Sequence, residues 1–136
     1  AAKEQIGICG SVVDEWIGAR ILEGRDAFLA AQAPVLAERL AVMREWVAND
    51  ELIEWVEPQG GVVCFPRFRH GPGFDFDDFY ADLLESYGAY VGPGHWFEMP
   101  RNHMRIGFVY PQEDELRGGL EAISAAIRKH SARRGP

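Results

Sequence analysis

The apolar positions follow a helical period over the first third of the chain. Good helix formers fill residues 11–23, with Val13, Trp16, Ile17 and Leu22 as apolar members, Ser11 as a capping hydroxyl and Gly24 as the break. A longer helical stretch runs to about Asn49, where Leu29, Leu36, Leu40, Met43 and Val47 recur at helical spacing as one apolar stripe. Pro34 interrupts it, so a helix either starts there, with proline in its first turn, or kinks just before it. A kinked or two-part connector is the expectation.

After Asn49-Asp50 the period drops to two. Residues 53–56 read as a short strand, Pro58-Gln59-Gly60-Gly61 as a turn and residues 61–68 as a second strand, rich in β-branched and aromatic side chains. Asp75 is placed to cap a helix whose Phe76, Phe79, Leu83 and Tyr87 share a face, and Gly88 to end it. Residues 89–91 form a strand that stops at Gly92-Pro93-Gly94. Residues 103–109 form another, where Met104, Ile106 and Phe108 alternate with Arg105, Gly107 and Val109. A last helix starts near Glu113, with Leu116, Leu120, Ile123 and Ile127 on its inner face.

Two helices followed by β-β-α-β-β-α predict an α+β fold: a small sheet of about four strands with helices packed mainly on one side, preceded by a long connector helix. The expected division is a helical connector over 1–49 and an α+β domain over 50–136. The connector has no strand of its own, as in a piece cut from a larger body.

Composition narrows the function. The chain has 136 residues, 47% hydrophobic and 12% aromatic, which argues for a packed core and against disorder. No run reaches the roughly 18 apolar residues of a membrane span, and the opening residues lack the layout of a signal peptide. No membrane association and a cytoplasmic home are therefore expected. Fourteen basic against 21 acidic residues give a net charge of −7. Apart from Arg128-Lys129 and Arg133-Arg134 there is no basic run, so nucleic acid is a poor partner, and those cations suit the C-terminal end of the last helix. Cys9 and Cys64 read as separate, reduced thiols. His70, His95, His103 and the cysteines lack metal-ligand spacing, so no metal site is expected. The cluster Asp75, Asp77, Asp78 and Asp82 suits a helix N-terminus facing solvent.

Arg105 is the residue that calls for chemistry. It lies inside a strand and points away from the Met104, Ile106 and Phe108 face. A strand arginine is commonly bridged to a surface carboxylate; without one, its planar fork suits a ligand carboxylate or phosphate. Two glycine turns flank it in sequence, and the Trp96-Phe97 pair that follows the second is by default a core element.

The order Pro58-x-Gly60-Gly61, helix, Val91-x-Pro93-Gly94-x-x-Phe97, Met104-Arg105-Ile106-Gly107-Phe108 and a final amphipathic helix resembles the C-terminal small domain of class I/II aminotransferases, fold-type I enzymes of pyridoxal phosphate. Gly60-Gly61-Val62, Phe65-Pro66-Arg67-Phe68, the Met104 to Phe108 run and Gly119-Leu120-Glu121-Ala122-Ile123-Ser124 resemble the capreomycidine synthase branch. The resemblance implies an enzyme of amino-acid metabolism that takes an amino acid and a 2-oxo acid and works as a homodimer. It further implies that Arg105 grips the substrate α-carboxylate, that Gly60 and Gly61 form the turn beside the active-site mouth, and that Phe97 lies near the substrate pocket. His95 and Trp96 depart from the usual small or basic residues of that turn. Only Lys3 and Lys129 are present, and neither matches the lysine that holds the cofactor. The chain is thus expected to be a fragment, inactive alone, whose missing large domain brings lysine and cofactor site. The competing expectation is a free-standing α+β binding or interaction module.

Overall fold

The computed structural model describes residues 10–132, so Lys3, Cys9, Arg133 and Arg134 lie outside the described residues. The chain divides into two compact units, 1–34 and 35–136. In the first, helix α1 (Val12–Glu23) starts at Ser11, whose hydroxyl accepts the Asp14 N–H at 3.4 Å, and ends at Gly24, whose N–H returns to the Leu22 carbonyl. No residue of α1 is buried. Val13, Trp16, Ile17 and Leu22, and Leu29 of the expected stripe, are all exposed. Helix α2 spans Arg25–Asn49 with Pro34 inside it, so the proline neither begins nor ends the helix.

In the second unit, the stripe of α2 is real from Leu36 onward: Met43 is fully buried and Leu36, Leu40 and Val47 pack on the core. Five short strands follow: β1 (Ile53–Glu54), β2 (Val63–Cys64), β3 (Arg67–Phe68), β4 (Gly92–Pro93) and β5 (Met104–Gly107). The expected second strand is split into β2 and β3 for a local reason. The register of β2 on β5, Val63 opposite Gly107 and Cys64 opposite Ile106, is kept through the Arg67–His103 bridge. Pro66 accepts the Met104 N–H at 2.8 Å but has no N–H to return, so the ladder has a gap there without a slip. All pairs are antiparallel: β1 on β3, and β2 and β4 on either side of β5.

The strand expected at 89–91 lies downstream, at Gly92–Pro93, so Gly92-Pro93-Gly94 is strand leading into a 3-10 turn (Gly94–Phe97) and not a terminating bend. Gly94 explains the shift. Its N–H bonds the His103 carbonyl at 2.8 Å, and a Cβ there would strike the Pro100 carbonyl, so only glycine lets the two chain segments pair this closely.

Helix α3 (Phe76–Glu85) is capped as expected: the Asp75 carboxylate accepts the Asp77 and Asp78 N–H groups, both at 3.1 Å. It stops before Tyr87, and Gly88 (φ 67°) closes it, with Gly88 N–H on Leu84 and Ala89 N–H on Leu83. Helix α4 (Glu113–Ala132) buries Leu116, Leu120, Ile123 and Ile127. Asp82 ties α3 to α4. It accepts Lys129 Nζ at 2.7 and 2.9 Å and Ser86 Oγ at 2.7 Å, with His130 Nε2 at 3.0 Å, and this set, Lys129 first, holds its carboxyl far below the usual aspartate range. Asp50, buried at the end of α2, accepts Ser124 Oγ at 2.5 Å and Arg128 at 3.0 Å, while Trp46 Nε1 donates to Ser124 at 2.9 Å. These bonds fix the second half of α2 on α4.

The architecture is α+β. Met104, Ile106 and Phe108 of the β5 segment meet Phe68, Phe79, Leu83 and the inner face of α4 in one core, which leaves the opposite sheet face open.

Candidate functional site

The open face is set by the alternation of β5. Met104 and Ile106 point inward and are buried; Arg105 and Gly107, which alternate with them, are exposed. Antiparallel register brings Gly92 of β4 beside Arg105 on one side and Phe65 opposite it on the other. Phe65 and Arg105 fall at a non-hydrogen-bonded position, where side chains of neighbouring strands come closest. Gly107, the next outward position along β5, has no heavy atom within 4 Å of where a Cβ would stand. Two glycines thus leave the positions beside the arginine without side chains: the space over Gly107 is open, and that over Gly92 is taken by the Phe97 ring.

Arg105 borders an open cavity of about 390 Å³ together with Val56, Pro58, Val63, Cys64, Phe65 and Phe97. Apart from the guanidinium its walls are mainly apolar. The Arg105 Cζ stands 5.7 Å from the Phe97 ring centroid. Phe97 meets Phe65 edge to face at 5.7 Å, and Phe65 in turn lies 5.5 Å from the His103 ring. The common fate of a strand arginine, an ion pair with a surface acid, is not what Arg105 has: among the described residues no carboxylate pairs with it. The contrast with its neighbours is direct. Glu54 holds both Arg67 and Arg69, at 2.6 and 2.5 Å, which lowers the Glu54 carboxyl from its ordinary value, the Arg69 hydrogen bond leading. Arg101 is taken by Asp77.

The structure thus gathers Arg105, Phe97 and Pro58 of the first glycine turn around one opening. Gly60 and Gly61, the next residues of that turn, are exposed and do not line it. Gly61 has φ +87°, a conformation that favours glycine, whereas Gly60 has no steric demand. Trp96 and Phe97 do not join the core: they are 58% and 43% exposed, and Phe97 lies on the outer sheet face against Gly92, Phe65 and Arg105. Phe65 and Val63 were not singled out in the sequence. They are the odd positions that alternate with the buried Cys64 and Pro66, and with the register known they fall on the same side as Arg105 and Gly107.

Cys64 takes no part in chemistry. Its Sγ is 3.7 Å from the Ile106 carbonyl, and burial pushes the thiol up to about 12. Among the described residues no three His, Cys, Asp or Glu side chains gather as a metal-holding group. None of their helices is long and apolar enough to cross a membrane.

Comparison with known proteins gives the chain a family and the fold its relatives. The family model described as aminotransferase class I and II matches residues 8–123. Capreomycidine synthase of Streptomyces vinaceus is 35% identical over 118 residues, covering 86% of this chain and 29% of that protein. Among solved structures, a PLP-dependent cyclase, OrfR, superposes with a TM-score of 0.71 at 30% identity, over 94% of this chain and 35% of its own. The multiple substrate aminotransferase of Thermococcus profundus shares the fold with a TM-score of 0.79 at 24% identity, over 98% of this chain and 34% of its own. The chain spans about a third of the length of the proteins it matches.

Proposed function

Because the chain belongs to the class I and II aminotransferases, we propose that it is the C-terminal part of a pyridoxal-phosphate-dependent enzyme acting on an amino acid, in which Arg105 receives the substrate α-carboxylate. The observation that carries this reading is a guanidinium without an acidic partner among the described residues, at the rim of a cavity on a sheet face where Gly92 and Gly107 leave the positions beside it without side chains. A planar fork with parallel N–H donors matches a carboxylate in a way a lysine point charge does not. Gripping the carboxylate at that fixed place orients the bond to the α-carbon hydrogen, the contribution to rate that positioning alone can make. Phe97 borders the cavity with Arg105, and in this reading the exposed turn at Gly60 and Gly61 lies beside the mouth of the complete site.

Pyridoxal phosphate, when bound, supplies the electron sink for charge that develops on the α-carbon. Among the described residues none fits the task of holding it. Lys129 Nζ is engaged with both carboxylate oxygens of Asp82, and Lys3 lies outside the described residues. Lys3 lacks the sequence surroundings of the family's lysine, so in this reading the lysine and the cofactor site belong to the rest of the polypeptide, from which residues 1–49 lead as a connector, its second half packed on the small domain of residues 50–136. The chain alone is inactive in this reading. The complete enzyme is a cytoplasmic homodimer that takes an amino acid and a 2-oxo acid. The identities to capreomycidine synthase and to a cyclase support placing it on that branch.

The test uses the complete polypeptide. Arg105→Ala should keep the colour of bound cofactor, while the amino-acid concentration needed to shift its absorbance rises about 10- to 100-fold, as expected for a lost charge-assisted hydrogen-bond pair. An unchanged concentration dependence would refute the assignment.

A further inference from the structure

We propose that Phe97 is a positioning residue for Arg105: its ring holds the guanidinium in place by its face, and the absence of a side chain at Gly92 is what lets ring and arginine meet. This rests on the carboxylate-binding role given to Arg105 above. An arginine on an exposed strand face has four freely turning bonds, and among the described residues no acid beside Arg105 fixes its fork. The Phe97 ring does so instead, with Cζ at 5.7 Å from its centroid, within the range of a cation–π contact. Unlike a carboxylate, the ring leaves the in-plane N–H donors free, so the arginine is held without its binding capacity being used.

The ring is itself held. Phe97 packs edge to face on Phe65 at 5.7 Å and 82°, and Phe65 leans on His103 at 5.5 Å. The backbone fixes the ring's origin, since the 3-10 turn that carries Phe97 is pinned at Gly94 to the His103 carbonyl. Gly92 is the permissive element. A Cβ there would come within 3.0 Å of Phe97 Cε2 and 3.3 Å of Arg105 Cβ, tighter than ordinary contacts at both partners of the pair. Glycine at this strand position therefore serves the ring–guanidinium contact, since its own φ is not in the positive region.

The experiment is performed on the complete polypeptide, labelled with 15N-arginine, by NMR, with propionate as the carboxylate probe. In the wild type, the Arg105 side-chain Nε–H should be shifted upfield by the Phe97 ring and show restricted motion. Phe97→Leu and Gly92→Ala should move that resonance to the position and mobility of a free arginine and weaken propionate binding at Arg105 about 2- to 5-fold. Phe97→Tyr, which keeps the ring, should restore both. The methyl signals of Met104 and Ile106 should stay in place, which separates loss of positioning from loss of fold. If the Arg105 resonance is the same in wild type and Phe97→Leu, the positioning role is wrong even where propionate still binds. If the resonance responds to Phe97 but propionate never perturbs Arg105, the carboxylate-binding reading fails while the ring contact stands.

Discussion

One strand separates two kinds of surface. On the inner side of β5, Met104 and Ile106, with Phe108 just beyond, sit against Phe68, Phe79 and α4 with almost no exposure. On the outer side, Arg105 stands between Gly92 and Gly107 beside an open cavity. The inner face is saturated with contacts, so each of its side chains works through the packing of its neighbours. The outer face carries rings and glycines but, among the described residues, no acid against Arg105, so that cation keeps its hydrogen-bond donors. Stability and recognition thus alternate residue by residue along a single element, and a substitution should report on one or the other according to parity.

The largest effect tests the inner face. Phe108→Ala removes a fully buried ring and should cost about 3–5 kcal/mol, read from denaturant unfolding; a cost near zero would break the distinction, because the inner face would then be no core. Next comes acid. Asp82, which locks α3 to α4 behind that core, has its carboxyl lowered in the folded state by Lys129, then Ser86 and His130. Its stabilising contribution is therefore fully present above the ordinary value of 3.8 and is lost as pH falls below that value toward the lowered one. Asp82→Asn should remove this part of the pH dependence while leaving the profile above pH 5 flat, as followed by thermal unfolding. The smallest effect sharpens the outer face: Arg105→Ala should change unfolding stability by no more than about 0.5–1 kcal/mol, as for an exposed side chain whose contact is a single ring.

Much of this was legible from residue pattern, and the misses have local causes. Asp75 and Gly88 announced both ends of α3 because capping depends on nearby residues only. The split of the second strand follows from one missing donor at Pro66. The displaced strand at Gly92–Pro93 depends on the close approach of Pro100 and His103 to Gly94, a long-range contact that no window of sequence carries. The outward direction of Arg105 came from simple alternation, and its lack of an acidic partner could not, since the local acids Glu54 and Asp77 are claimed by other arginines through strand register and loop path. Phe65 and Gly92 entered the site by pairing across strands, which sequence spacing leaves undetermined. The exposed side chains of α1 departed from the usual reading of an apolar helix face: they have no core within their own unit.

The most direct measurement compares an amino acid with its carboxamide. In the complete polypeptide, the affinities for L-alanine and L-alaninamide are determined for the wild type and for Arg105→Ala. The expected result is a strong wild-type preference for the free carboxylate that collapses in the variant, with carboxamide affinity little changed. A preference that survives intact without Arg105 would place the carboxylate elsewhere and contradict the function proposed for this face of the sheet.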